Sequence, residues 1–275
     1  MKIGLLTSRF NAEKWSGDQI IVWAGQNSIQ CLEVCVRSRH IDVEKVLSHK
    51  EERAEIQRKL KTAGVEISSL ANYTLDINAA NLSIRQREIA FLRQTIEAAE
   101  ALGVTTVCVL AGGAAPGKTK MDTIRQDLPE IFGPLAEEAA KRGVKLAFEN
   151  WFRTNLQHLD HWQAFFQVLP QANLGLNFDP SHLDRMEIDY LAAIDEFAGR
   201  IFHTHAKDVE IDEAKRRRLG TLDSAHARYT IPGTGRIPWG IYLGRLRKAG
   251  YNLSLIHISE PTRLLSISYA VFCLK

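Results

Sequence analysis

The regular alternation of short apolar runs with long amphipathic stretches constrains this chain more than any other feature. Runs rich in β-branched and apolar residues, typical of strands, lie at 2–6, 31–36, 65–71, 105–111, 145–151, 173–179 and 201–207. Helical patterns are clearest at 84–102, 122–142, 188–197 and 239–249. Strands that alternate with helices predict successive βα units and a parallel sheet.

Seven strands precede a last helix, and an eighth strand should begin after residue 252. Eight βα units close into a (β/α)8 TIM barrel, which is the predicted fold class. An open doubly wound sheet is the alternative, but no predicted strand is followed by a GxGxxG turn, and the glycine-rich run 111–119 has the wrong spacing for a phosphate loop. With no linker-like stretch inside it, 1–252 is predicted to be one domain.

Residues 253–275 are interpreted as having a different origin from the rest of the chain. Its residues match, in order and in frame, the translation of two sequencing-adapter DNA segments. We therefore predict that 253–275 is not natural protein, that the natural barrel is truncated after residue 252, and that its eighth strand is lost or replaced by foreign sequence.

Composition limits the partners. A net charge of +3, from 35 basic and 32 acidic residues, gives no field that would attract nucleic acid or a membrane surface. No apolar run has the length of a membrane span or a signal peptide, which predicts a cytoplasmic protein. The cysteines show no disulfide framework and are predicted to be reduced, structural thiols. A homo-oligomer is left open.

Polar residues end three consecutive predicted strands with the same parity. Alternation places Glu149, Asp179 and His205 inside the barrel at the ends where barrel active sites lie. The same alternation puts Ile201 and His203 inside and Phe202 outside. One such residue alone is more often structural, but inward charges are costly without a partner. Together the three predict a site for one divalent metal ion, Mn²⁺, Co²⁺, Fe²⁺, Mg²⁺ or Zn²⁺.

The motifs around these residues resemble those of the sugar phosphate isomerase/epimerase family of the xylose-isomerase-like barrels, and the resemblance extends to residue 252. They are FEN (148–150), NFDPSHL (177–183), IFHTHAKD (201–208) and IPGTG (231–235), followed by a helix and Gly-Tyr at 250–251.

The resemblance implies the ligands Glu149, Asp179 and His205, with a fourth ligand, a glutamate, on the eighth strand. It also implies substrate contacts from His182 and Lys207, although strand parity turns Lys207 away unless the strand ends before it. The run after residue 252 carries no carboxylate before Glu260, so no residue is assigned as the fourth ligand. The chain with this ending is predicted to be nearly inactive.

The activity implied by the resemblance is metal-dependent isomerisation or epimerisation of a small sugar, sugar phosphate or polyol-derived ketone through an enediolate, with Glu149 as acid/base. An inosose-type dehydratase and a non-catalytic sugar-binding barrel remain alternatives. Endonuclease-IV-type DNA repair, known in the same superfamily, is disfavoured because the third and fourth strand ends lack histidines.

The segment 208–236 is a long charged insertion. Its basic run at 215–218 is predicted to be a solvated helix. Arg228 precedes the 232–235 turn, which is expected near the mouth of the barrel, and is predicted to contact an anionic group of the substrate.

Overall fold

The computed structural model describes residues 1–10 and 13–257. Its strands are β1 (Lys2–Leu6), β2 (Cys31–Cys35), β3 (Glu66–Asn72), β4 (Thr106–Val109), β5 (Lys145–Glu149), β6 (Leu174–Phe178), β7 (Ile201–Ala206), β8 (Asp208–Ile211), β9 (Ala227–Thr230) and β10 (Ser254–His257). Its helices are α1 (Gly17–Gln26), α2 (Val43–Ser48), α3 (Lys50–Ala63), α4 (Leu82–Leu102), α5 (Lys120–Gln126), α6 (Leu128–Lys141), α7 (Leu159–Val168), α8 (Pro180–Asp184), α9 (Tyr190–Glu196), α10 (Glu213–Leu219) and α11 (Trp239–Lys248).

Eight of the described strands form a closed parallel barrel in the order β1-β10-β7-β6-β5-β4-β3-β2, which confirms the predicted fold class. The seven predicted strands begin and end within two residues of the observed ones. One predicted helix, 122–142, is instead two helices, α5 and α6, that meet at Asp127. Pro129 lies in the first turn of α6, where its missing N–H costs no intrahelical hydrogen bond.

The eighth barrel position is filled. β10 pairs in parallel with β7 on one side and β1 on the other, and its residues Leu255 and Ile256 are buried. The eighth strand is therefore not lost; its place is taken by the run that the sequence analysis attributes to an adapter. Residues 258–275, including Glu260 and Cys273, lie outside the described residues, while Cys31, Cys35 and Cys108 are buried and free.

A bulge changes the alternation in β7. Leu176 of β6 pairs with Ile201, but the next residue, Asn177, pairs with His203, so Phe202 is the extra residue. Phe202 packs inside the barrel and Ile201 joins the outer core, so their predicted directions are wrong. Gly175 makes room for the ring: a Cβ there would lie 2.5 Å from Phe202. His203 and His205 keep their predicted inward positions.

An antiparallel hairpin, β8–β9, leaves the barrel directly after β7. The buried carboxylate of Asp208 ties its base to the segment before α11. Asp208 accepts hydrogen bonds from the backbone N–H groups of Gly233, Gly235 and Ile237 and from the indole of Trp239, at 2.8–3.1 Å. A Cβ on Gly235 would lie 2.4 Å from that carboxylate, so the close approach requires glycine.

The core lies between the barrel and its helices, where one apolar cluster extends around the sheet. Among the described residues, no helix is both long and apolar enough to cross a bilayer.

Candidate metal centre

The three residues predicted as ligands meet at the carboxyl end of the barrel. Nδ1 of His205 lies 3.3 Å from Oε1 of Glu149 and 3.8 Å from Oδ2 of Asp179. Asp179 and His205 are fully buried, and the Glu149 side chain is 11% exposed. Parallel strands that end side by side bring residues distant in sequence to one rim.

His182 and Lys207 join this group. Nε2 of His182 is 3.5 Å from Glu149 and 3.6 Å from Asp179. Nζ of Lys207 is 2.7 Å from Oδ2 of Asp179 and 3.0 Å from Nε2 of His182. Lys207 turns inward because β7 ends at Ala206, which releases it from the strand alternation. The structure thus brings together five of the six predicted site residues.

Asp179 is held in place by hydrogen bonds to its Oδ1 and to its backbone. Its Oδ1 accepts hydrogen bonds from the backbone N–H and the hydroxyl of Ser181, and its backbone exchanges two hydrogen bonds with the amide of Asn150. These contacts account for the FEN and DPS motifs. Oδ2 of Asp179 and Nδ1 of His205 are buried and accept or donate no hydrogen bond of good geometry, although Lys207 is close to the former.

Buried polar atoms without a hydrogen bond are rare and call for an explanation. Here the two atoms face the same point as the Glu149 carboxylate, and ligand atoms of Glu149, Asp179 and His182 lie within 4.8 Å of one another. Carboxylate oxygens and an imidazole nitrogen suit a divalent cation. The residues present therefore fit a cation site built on Glu149 and Asp179, with imidazole nitrogens of both His182 and His205 beside the two carboxylates.

Sequence reasoning missed Glu33, which lies in the middle of β2 and is fully buried beneath the centre. Its Oε2 is 3.1 Å from Nε2 of His205 and 3.4 Å from Nδ1 of His203, and its Oε1 accepts a hydrogen bond from Tyr73. The amide of Asn177 contacts the same imidazoles. The available signal was an acidic residue in the middle of an otherwise apolar strand. It was missed because the predicted metal ligands all lie at strand ends.

Glu33 also belongs to a second set of potential ligand atoms, with Cys108 and His203. Burial, followed by the charge of Glu33, raises the pKa of the Cys108 thiol well above its usual range. A protonated thiol is a poor ligand. This set therefore serves as packing and hydrogen-bonding support.

The carboxylates of the centre stay ionised. Burial alone would raise the pKa of Glu149, but the imidazoles of His182 and His205, at 3.5 and 3.3 Å, hold it below its usual range. Burial would also raise the pKa of Asp179, and the charge of Lys207 outweighs it, so that this pKa lies well below the ordinary value. Both residues are therefore negatively charged at neutral pH and can attract a cation.

The two histidines differ in protonation. Burial and the charge of Lys207 lower the pKa of His182, so its neutral ring accepts from Lys207 at Nε2 and donates from Nδ1 to the Tyr229 hydroxyl at 2.8 Å. Burial would lower the pKa of His205 as well, but the Glu33 carboxylate raises it well above the ordinary value. Binding of a metal at Nδ1 of His205 would release the proton that this raised pKa keeps on the ring.

A cavity of about 340 Å³ opens over the centre. Its lining includes Glu149, His182, His205, Lys207, Tyr73, Trp151 and Tyr229. Arg228 is not among the lining residues: its guanidinium is 76% exposed and pairs with Glu210 across the β8–β9 hairpin. The next residue, Tyr229, reaches the centre instead. The anion-binding role of Arg228 stays a prediction.

Comparison with known proteins places this geometry in a family. Residues 24–262 match the profile of the xylose isomerase-like TIM barrels, which is most of the chain. The chain belongs to this family. The resemblance recognised in the sequence motifs is thereby confirmed.

Two named relatives match most of the chain. The rhizopine catabolism protein MocC of Rhizobium meliloti is 26% identical over 94% of this chain and 84% of its own length. An inosose dehydratase of Glaesserella parasuis is 23% identical over 86% of this chain and 84% of its own length.

Solved structures share the fold. A D-tagatose 3-epimerase-like protein superposes with a TM-score of 0.77 at 18% identity, covering 100% of this chain and 96% of that one. An IOLI protein crystallised with a bound zinc atom gives 0.75 at 16% identity, covering 100% and 95%.

Proposed function

We propose that this protein is a divalent-metal-dependent isomerase or epimerase, acting on a small sugar, sugar phosphate or polyol-derived ketone through an enediolate. The observation that carries the proposal is the convergence of Glu149, Asp179 and His205, in which Nδ1 of His205 lies 3.3 Å from one carboxylate and 3.8 Å from the other. A D-tagatose 3-epimerase-like protein with the same fold supports the reaction class.

The bound cation would supply electrophilic stabilisation to the carbonyl and adjacent hydroxyl of the substrate. Glu149 is ionised, borders the cavity and can accept the proton from the carbon between those groups. Lys207 lines the same cavity and offers donors to substrate oxygens, while Tyr229 holds the ring of His182. Trp151 and Tyr229 form an aromatic wall of the cavity that can pack against the apolar face of a sugar ring.

A second candidate function is an inosose-type dehydratase, which the relative from Glaesserella parasuis favours. Removal of a proton next to a carbonyl begins both reactions, so Glu149 would have the same task. The fate of the enediolate separates them: reprotonation gives an epimer or isomer, and expulsion of a β-hydroxyl gives an unsaturated ketone.

The first prediction concerns the metal ligands. Asp179→Asn should lower Mn²⁺ or Zn²⁺ affinity by about tenfold or more, because it removes an anionic ligand. Glu149→Gln should lower turnover at saturating metal by at least about a hundredfold, because it removes the proton acceptor. Metal affinity is measured by calorimetry. Turnover is measured in D₂O as the exchange of the substrate C–H proton for deuterium, across a panel of ketoses and inososes.

The turnover arm uses a chain in which 253–275 is replaced by a family-like strand ending in glutamate. Asp195→Asn, an exposed acid in α9, is the matched control for loss of charge. Metal affinity that is unchanged in Asp179→Asn would refute the ligand assignment. Exchange of the C–H without an epimer, together with an ultraviolet-absorbing enone, would favour the dehydratase.

A further inference from the structure

Arg185 is a buried cation with unused hydrogen-bond donors. It follows α8, is 1% exposed, and its guanidinium carbon lies 3.8 Å from the centre of the Phe152 ring. Its Nε and Nη1 are buried without a hydrogen-bond partner, Nη2 lies 3.5 Å from the carbonyl of Asp223, and the Tyr229 hydroxyl is a further polar neighbour of the guanidinium. The ring covers one face of the guanidinium and leaves its N–H edges free.

Neighbouring acids are engaged elsewhere. The Asp184 carboxylate pairs with Arg236 at 2.9 Å, and the Asp223 carboxylate accepts the backbone N–H of Ala225 at 2.8 Å. His226 fixes the position of Arg185 by contacting its carbonyl at 3.0 Å. A charge buried without a partner is costly, so such groups are normally paired.

Arg185 borders a cavity of about 330 Å³ that adjoins the candidate metal centre. Trp151 and Tyr229 line both cavities. Arg153, an exposed residue stacked on Trp151 and Phe152, contributes a second cation to this cavity. None of the described side chains that line it is acidic. The cavity therefore has the charge of an anion site.

Tyr229 links the two cavities. Its hydroxyl contacts His182 at 2.8 Å, and Lys207 lies over its ring. Burial of the hydroxyl raises the pKa of Tyr229, and the nearby charge of Arg185 opposes that rise. A group bound by Arg185 would thus lie in the cavity next to the one that Glu149 borders, with Tyr229 in the lining of both.

We propose that Arg185, assisted by Arg153, binds an oxyanion of the substrate, a phosphate or a carboxylate at the end remote from its carbonyl. The planar fork of a guanidinium matches both groups. That the bound anion belongs to a substrate rests on the proposed function. On that basis the substrate class narrows to a sugar phosphate or a sugar acid. The anion site itself is testable without turnover.

The test measures binding of inorganic phosphate and of acetate to the 275-residue chain by calorimetry and thermal unfolding. We expect the wild-type protein to bind at least one of the two and to gain melting temperature with it. Arg185→Met should weaken that binding about 10- to 100-fold, the loss of charged hydrogen bonds. Arg217→Met, an exposed arginine of α10, should bind as the wild type does.

Melting temperature in anion-free buffer separates a binding role from a structural one. A buried cation without a partner is destabilising, so Arg185→Met should melt no lower than the wild type. A large fall in melting temperature, with anion binding unchanged, would overturn the proposal. So would the absence of any binding of either anion up to the order of 10 mM. If Arg185→Met does not fold, Arg153→Met decides: about threefold or greater weakening supports the site, and unchanged affinity refutes it.

Phosphate and acetate also identify the source of the oxyanion. Tighter phosphate binding indicates a phosphate ester, and tighter acetate binding indicates a sugar acid. Where turnover is found, Arg185→Met should raise KM for the charged member of a sugar pair about 10- to 100-fold and leave the neutral member within about threefold. Anion binding with no turnover of any ketone would sink the proposed function while leaving the anion site intact.

Discussion

At the scale of single residues, the pair formed by Glu33 and His205 sets the chemistry of the centre. Glu33 faces Nε2 of His205, which leaves Nδ1 directed at Glu149 and Asp179. Carboxylates behind ligating histidines fix the ring and its tautomer and increase its basicity. Glu33 is therefore expected to act through His205, as a positioning residue.

The second prediction is that Glu33→Gln weakens Mn²⁺ or Zn²⁺ binding about 10- to 100-fold, because the negative charge behind His205 is lost. Calorimetry measures the affinity, and ¹⁵N spectra of the histidines report the tautomer of His205. Glu88→Gln is the matched control, since Glu88 is also buried and ion-paired but belongs to α4. Equal metal affinity in the parent and Glu33→Gln would show that Glu33 has only a packing role.

The sequence predicted the residues that end a strand better than those whose position depends on other elements. Glu149, Asp179 and His205 follow from strand alternation alone. Arg228 and Tyr229 depend on the register of the β8–β9 hairpin, where Glu210 pairs with Arg228 and draws it to the surface. No local pattern marks Arg185, because its surroundings come from Phe152 and a distant turn.

At the scale of secondary-structure elements, the bulge in β7 shows why alternation is a local rule. The bulge reverses the predicted side-chain directions of Ile201 and Phe202, and it leaves those of His203 and His205 unchanged. The inward positions of His203 and His205 were therefore predictable, and that of Phe202 was not. The boundary between α5 and α6 was missed for a different reason: Asp127, at the junction, keeps a right-handed helical backbone conformation.

Helix α7 carries a titratable group in its first turn. The rings of His158 and His161 stack at 3.7 Å, and His161 is 8% exposed. Burial, then the charges of His158 and Lys120, lowers the pKa of His161 to about 4. An unfolded histidine titrates near 6.5, so the unfolded chain binds this proton more tightly. Stability is therefore lost as the pH falls from about 6.5 towards 4.

The third prediction is that His161→Gln removes about 1–2 kcal/mol of the stability loss between pH 7 and pH 5. Urea unfolding at the two pH values measures it. His49→Gln, at an exposed position between α2 and α3, should leave the loss unchanged. An identical pH dependence in the parent and His161→Gln would contradict the assignment.

At the scale of the whole molecule, closure of the barrel requires little of the eighth strand. Two buried apolar residues, Leu255 and Ile256, and backbone pairing with β1 and β7 suffice. The sequence analysis noted that this run is strand-like, and it attributes the run to adapter DNA. The adapter origin of 253–275 remains a prediction. A foreign eighth strand is expected to change metal affinity and protein stability more than the topology of the barrel.

The fourth prediction is that replacing 253–275 by Gly, a short apolar strand and Glu strengthens Mn²⁺ binding by about tenfold or more, because a further anionic ligand joins the centre. Core residues chosen for the barrel should also raise stability, since each misfitted residue costs about 1–3 kcal/mol. Calorimetry and thermal unfolding measure the two effects.

The same ending with Gln in place of Glu is the control for the graft. It should recover stability and not affinity. Equal metal affinity in all three chains would refute the predicted role of an eighth-strand carboxylate.

The carboxylate of Asp208 has a consequence for how this barrel can change over evolution. It joins the first residue of the β8–β9 excursion to Gly233, Gly235 and Trp239, where the chain returns to α11. The chain between Asp208 and Gly233 therefore begins and ends at one fixed point, which lies one residue after Lys207. Insertions and deletions within 212–226 can therefore accumulate without moving His205, because lengthening a surface loop costs little. The excursion is a part that descendants can exchange to reshape the cavity while the residues at the end of β7 keep their positions.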